Sequence, residues 1–202
     1  MTTHAIRRAV QVALCAAILA VLVRASDVSY TVSLDSPEQH LVEVQIILPP
    51  GAAARELQLP VWNALYQIRD FAQFVNWIRA KDRAGNSLPV RQLNDSRWQL
   101  DGATEGAIVE YQIYVDSFGP FGAQLNSHHA FLNLAQILMY PVDARNAPLT
   151  IRFSHMPSDW RIATPLPSAS GAYSAQNYDR LVDSPVEISA FREFDFDEAG
   201  SH

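Results

Sequence analysis

The chain has 202 residues, 49% hydrophobic and 18% charged, with a mean hydropathy of −0.03. That composition fits one globular domain, or at most two small ones, and a chain of this length buries roughly 70% of its unfolded surface without needing staples. The formal net charge is −6 and Lys81 is the only lysine, which argues against a phosphate-backbone binder, because that chemistry needs clustered Lys and Arg.

The first predicted element is a leader. "MTTHAIRRAVQVALCAAILAVLVRASD" opens with Arg7 and Arg8, continues through an apolar run from Ala9 to Val23, and offers Val23 and Ala25 at the −3 and −1 positions of a cut. This is the layout of a secretory signal peptide, and the run is short for a spanning helix of about 20 residues. Residues 1–25 are therefore expected to be a signal, with Ser26 the first mature residue, or else an uncleaved N-terminal anchor. The expected location is periplasmic or extracellular, with membrane contact only through an uncleaved leader. Cys15, the one cysteine, lies in this segment, and Leu14 before it fits a lipidation site poorly. The remainder, 26–202, therefore has neither a disulfide framework nor a thiolate metal site.

That remainder reads as strands. "YTVSL" alternates Tyr30, Val32 and Leu34, and "HLVEVQIIL" puts Val42, Val44, Ile46 and Leu48 on one face, with His40 in the same register, pointing inward at the strand's start as a satisfied core or rim histidine. "ELQLPV" aligns Leu57, Leu59 and Val61. The stretch "LPVWNALYQIRDFAQFV" follows: Trp62 is expected to anchor a corner, and Leu65, Ile68, Ala72 and Val75 to cover the sheet from a short crossover. "NWIRAKDRAGNSLPV" predicts a strand, a turn at 82–86 and a second strand. "AIVEYQIYV" turns Val109, Tyr111, Ile113 and Val115 inward. "PLTIRF" repeats the pattern with Leu149, Ile151 and Phe153, and "PVEISAFREFDF" ends it with Val186, Ile188 and Ala190, then Phe194 and Phe196. Helix is expected only locally, around 66–74, 133–139 and "NYDRLVD". The predicted fold is all-β, an antiparallel β-sandwich or open saddle-like β domain with one or two short helices.

Chemistry is sparse. His128-His129 is the only close histidine pair, and neighbours in a strand point apart, so with no carboxylate or third histidine nearby in sequence it makes a poor metal site. His155, before Met156-Pro157, is expected at an exposed strand end. No HExxH, G-x-S-x-G, Walker loop or G-x-G-x-x-G occurs, and no nucleophile, base and oxyanion hole assemble. No catalytic residue, metal ligand or cofactor is expected.

The order of the pieces is more informative than any one of them. "SPEQHLVEVQIILP" leads to "LQLPVWNALYQIRDFAQFV", then "VEYQIYVDSFGPFGAQLNSHHAFLNLAQILMY", "DWRIATPL" and "YDRLVDSPVE". Across roughly 28–197 this order resembles the N-terminal domain of the glycyl aminopeptidase family of zinc metallopeptidases. In that family a β domain precedes a thermolysin-like HExxH domain and often a PDZ domain. Two departures stand out: Asn63-Ala64 replaces the usual Pro-Gly after the Trp, and the 202 residues end at "FDEAGSH", about where the family continues toward its catalytic domain. The resemblance thus implies fold and ancestry, with no zinc ligand or catalytic Glu to carry over. It also implies an interface near "YDRLVDSPVE", where Tyr178, Asp179, Asp183 and Glu187 are the candidates. A plainer reading makes Asp183-Ser184-Pro185 a turn whose carboxylate bonds backbone amides.

Three functions fit these residues. The first is a non-catalytic exported accessory or protein/peptide-binding module, its partner a metallopeptidase catalytic domain or a peptide. The second is the front part of a full zinc aminopeptidase. The third is an unrelated secreted β-sandwich binding protein.

Overall fold

The computed structural model describes residues 28–61, 70–119 and 121–194. The leader, the Trp62 corner with Asn63 and Ala64, and the tail after 194 lie outside these residues.

Strands, numbered along the chain, form three sheets. The largest has eight, in the order β14 (Ser168–Ala169), β15 (Ala172–Ala175), β12 (Leu149–Ser154), β1 (Val28–Ser36), β2 (Leu41–Leu48), β8 (Ala107–Tyr114), β4 (Val75–Lys81) and β5 (Ser87–Leu88). One four-stranded sheet runs β13 (Arg161–Ala163), β16 (Val186–Ser189), β10 (His129–Leu132) and β9 (Gln124–Leu125). The other runs β11 (Tyr140–Pro141), β3 (Ala54–Gln58), β7 (Arg97–Asp101) and β6 (Val90–Asn94). Among the described residues two short α-helices, α1 (Leu134–Ile137) and α2 (Tyr178–Val182), complete the all-β architecture.

Alternation builds the large sheet. Tyr30, Val32 and Leu34 on β1, Val42, Val44, Ile46 and Leu48 on β2, and Val109, Tyr111 and Ile113 on β8 are all buried, so a one-residue slip would turn the whole set to water. The register pairs Val44 with Tyr111 and Ile46 with Val109. Among the described residues every strand pairing is antiparallel except one: β1 runs parallel to β12, with Ser33 opposite Ser154. The 82–86 turn forms as expected, held by Asp82, whose carboxylate accepts from both the backbone and side-chain nitrogens of Asn86 at 2.8 Å. Three expectations fail at strand ends. Val61, aligned in sequence with the buried Leu57 and Leu59, is exposed, because the strand stops at Gln58. His40 does not continue the inward row of β2; it caps a 3₁₀ turn (Pro37–Gln39) at φ 58° and stands at the rim against Leu125 O and the edge of Tyr114. Ala190, past the end of β16, is exposed, because the ladder stops at Ser189.

One core joins the sheets, and three buried tyrosines stitch it. Tyr111 OH donates to Ile137 O at 2.7 Å, Tyr178 OH to Leu138 O at 2.7 Å, and Tyr30 OH to Met139 O at 2.9 Å. Three hydroxyls from β8, α2 and β1 thus meet three consecutive carbonyls where α1 ends. Burial pushes all three phenols above their ordinary range. A folded-state value above the unfolded one leaves the stabilisation intact below about pH 10 and removes it as pH rises further. In an alkaline titration these three rings are expected to stay silent in phenolate absorbance until the protein unfolds; early, reversible ionisation of all seven tyrosines would contradict this.

Candidate interface

The segment 177–187 is built by ordinary local rules. Asn177 caps α2, its side-chain oxygen accepting from Arg180 N at 2.8 Å. The helical turn then sends Tyr178 and Leu181 inward and leaves Asp179, Arg180 and Asp183 outside. Ser184 closes the helix, its hydroxyl donating to Arg180 O at 3.0 Å, while the Asp183 N–H reaches Asp179 O at 3.1 Å. The turn before the last strand is therefore real, but the side chain that bonds its backbone is Ser184 rather than Asp183.

The four sequence-predicted interface residues separate in space. Tyr178 is only 2% exposed and sits in the tyrosine cluster, so its side chain is core and takes no part in a surface. Asp179 and Asp183, one turn apart, both line a groove of ≈ 730 Å³ whose floor includes Pro148, Leu149, Leu166 and Pro167. Glu187 lies elsewhere, on β16, with its carboxylate 3.2 Å from His129 Nδ1. At the groove, Asp179 accepts from Arg145 through Nε at 3.1 Å and Nη2 at 2.7 Å. That bond is the main reason the guanidinium's pKa is raised. Arg145 also lies over the Tyr140 ring at 5.0 Å. The result is a groove with an apolar floor and a mixed rim of Asp179, already held by Arg145, with Arg180 and Asp183, suited to an apolar segment flanked by polar or charged side chains.

Two further clusters were not legible from motifs. The Glu187 carboxylate supplies a partner that the sequence around His128-His129 does not show, because β10 pairs with β16. His128 itself is exposed, and no third ligand joins among the described residues. Parallel pairing of β1 and β12 likewise brings Ser33, Asp35 and His155 together. His155 is exposed, as expected, and sits at φ 52°. Ser33 Oγ lies 2.8 Å from both Asp35 Oδ2 and His155 Nδ1, with His155 Nδ1 3.5 Å from Asp35 Oδ1. Serine and carboxylate thus share one ring nitrogen, and the hydroxyl donates to the carboxylate. A nucleophile–base–orienter relay needs them on opposite nitrogens, so this cluster is no catalytic triad.

The cluster borders a groove of ≈ 200 Å³ on the outer face of the large sheet. Arg79 stacks over Trp77 there at 4.7 Å, and Glu110 accepts from Arg79, Lys81 and Gln45 at 3.0–3.1 Å. Burial pushes the Glu110 carboxyl up, but these hydrogen bonds outweigh it and hold it below its ordinary range. Among the described residues no three His, Cys, Asp or Glu side chains stand close enough to hold a metal, so they do not fit a zinc ion. No helix among them is long and apolar enough to cross a membrane.

The profile described as the peptidase M61 N-terminal domain matches residues 29–190. A crystal structure of an aminopeptidase N family protein from Idiomarina loihiensis superposes with a TM-score of 0.80 at 28% identity, covering 86% of this chain and 31% of that one. An M1 zinc metallopeptidase from Deinococcus radiodurans matches at a TM-score of 0.45 and 11% identity, over 81% of this chain and 41% of that one. The chain thus spans less than half the length of either structure. No curated protein matches.

Proposed function

Because the chain belongs to the peptidase M61 N-terminal domain family, we propose that it works outside the cytoplasm as a non-catalytic accessory domain that docks a metallopeptidase catalytic domain. The observation that carries this reading is the family match over 29–190, which lies entirely within the N-terminal domain of a peptidase. The groove beside α2 supports a docking role: its apolar floor fits an apolar segment of a partner, and the exposed Asp183 on a rim shared with Asp179 and Arg180 offers a carboxylate to a basic side chain beside it. The basic and apolar leader supports export.

The test mixes the protein with a thermolysin-type catalytic domain of the same family, stripped of its own N-terminal domain. Association is read by calorimetry, and cleavage of glycyl and alanyl anilides is followed with zinc present. The protein alone is expected to be inert and to bind the catalytic domain. Chelator-sensitive cleavage by the protein alone, or no association, would overturn the reading. Asp183→Arg is expected to weaken association about tenfold, mainly through the on-rate and more strongly at low salt, while stability stays within about 0.5 kcal/mol because the side chain is exposed. Unchanged affinity would move the interface away from this groove.

A further inference from the structure

The groove on the outer face of the large sheet shares no residue with the one beside α2. Its floor is set by strand register. Thr31 stands opposite Gln45, Gln45 opposite Glu110 and Glu110 opposite Arg79, one row across four strands. Ser33 stands opposite Glu43 in the next row. Cross-strand side chains lie about 5 Å apart, so these polar ends share the space of one small molecule. At ≈ 200 Å³ the groove is smaller than the roughly 300–1,000 Å³ of drug-sized ligand sites.

What each side chain has to offer follows from what it already holds. Arg79 spends Nε on Glu110 at 3.0 Å, which leaves Nη1 and Nη2 as donors on a side chain 68% exposed. Gln45 spends its N–H₂ on Glu110 at 3.1 Å and keeps Oε1 as an acceptor. The exposed Glu43 receives Gln112 on Oε1 at 3.2 Å and keeps Oε2. Ser33 donates to Asp35, so it accepts from His155 Nδ1, and the neutral ring keeps Nε2 as an acceptor on a side chain 67% exposed. Thr31 lines the same wall with a hydroxyl that can play either part. The guanidinium is also fixed before any ligand arrives, with the Trp77 ring 4.7 Å away and Glu110 beside it, which lowers the ordering cost of binding.

Donors and acceptors thus interleave on one floor, and this decides the class of ligand. A phosphate or carboxylate offers acceptors and brings its charge against Glu43 and Asp35. An ammonium offers donors and meets Arg79. A hydroxyl both donates and accepts, and a sugar ring carries several of them on a small rigid frame.

We infer that this groove is a carbohydrate site for a single pyranose ring, whose hydroxyls accept from Arg79 Nη1 and Nη2 and donate to Gln45 Oε1 and Glu43 Oε2. The site stands apart from the docking groove, and neither reading depends on the other.

The probes are D-glucose, D-galactose, D-mannose and N-acetyl-D-glucosamine, each titrated into ¹⁵N-labelled protein up to about 50 mM, where at least one is expected to saturate with a Kd on the order of 1–10 mM. The Arg79 Nε–H and the Gln45 side-chain amide pair are expected to move together with that sugar. Inorganic phosphate and putrescine, titrated alongside, are expected to leave both in place. Arg79→Ala keeps Lys81 and Gln45 on Glu110, so the fold stands, and it is expected to weaken the sugar about tenfold. Four sugars that never saturate, saturation of the same resonances by phosphate or putrescine, or an Arg79→Ala variant that binds the sugar as tightly as the parent would each overturn the assignment.

Discussion

Tyr111→Phe is expected to destabilise the domain by about 3 kcal/mol, although it deletes a single oxygen. That oxygen donates to Ile137 O at 2.7 Å and accepts from Met139 N at 2.9 Å, in a region where Tyr111, Ile137 and Met139 are all 0% exposed. Its removal strands a carbonyl and an amide together, each costing about 1–3 kcal/mol when left unpaired away from water. The demand for these bonds arises from α1, which is only four residues long and ends at Leu138 in an extended conformation. Helix C-terminal carbonyls have no partner within the helix, and here they face the core rather than solvent. The tyrosines supply the partners. Tyr30→Phe and Tyr178→Phe, each losing one bond, are expected to cost about 1–2 kcal/mol. Because all three act on one segment, the triple replacement is not expected to equal the sum of the singles. Urea unfolding measures this. With an m-value of about 2 kcal/mol/M, Tyr111→Phe lowers the midpoint by about 1.5 M, and a shift below about 0.5 M would mean that the segment relaxes to find other partners.

The same cluster explains what could and could not be read from the chain. β1, β2 and β8 are legible because one face is buried and the other wet, so period-two alternation survives in the residues themselves. The inward set read there is the buried set observed, from Val32 to Ile113. Pairing between distant strands leaves no such trace. Nothing near Ser33 announces His155, which reaches it only through the parallel β1–β12 register, and nothing near His129 announces Glu187. Tyr178 misled for a different reason. Its neighbours Asp179, Arg180 and Asp183 are charged and exposed, so the stretch reads as surface. Helical spacing gives the better reading: after the Asn177 cap, Tyr178 and Leu181 are three apart and face inward together.

Asp143→Ala is expected to cost about 3 kcal/mol, and its signature is that a second mutation at Arg55 restores part of the loss. Arg55 interrupts an otherwise ordinary β3, its side chain 2% exposed and its guanidinium bound bidentately by Asp143 at 2.9 Å through Nε and Nη2. Nη1 completes the site on Pro49 O at 2.8 Å. Removing the carboxylate leaves a buried cation with one neutral acceptor. The cost of breaking a buried pair in this way is about 3–5 kcal/mol, and the lower figure applies because Asp143 itself is 42% exposed, so water reaches part of the gap. The carboxylate's net contribution is smaller than that loss, because forming the pair also meant desolvating the arginine. Arg55→Met removes the charge that needs compensation and keeps the apolar stem packed, so it is expected to cost only about 1 kcal/mol. The double variant, Arg55→Met with Asp143→Ala, should therefore unfold at a higher denaturant midpoint than Asp143→Ala alone. A double variant less stable than both singles would show that Asp143 acts through contacts other than Arg55, and the buried-cation account would fail.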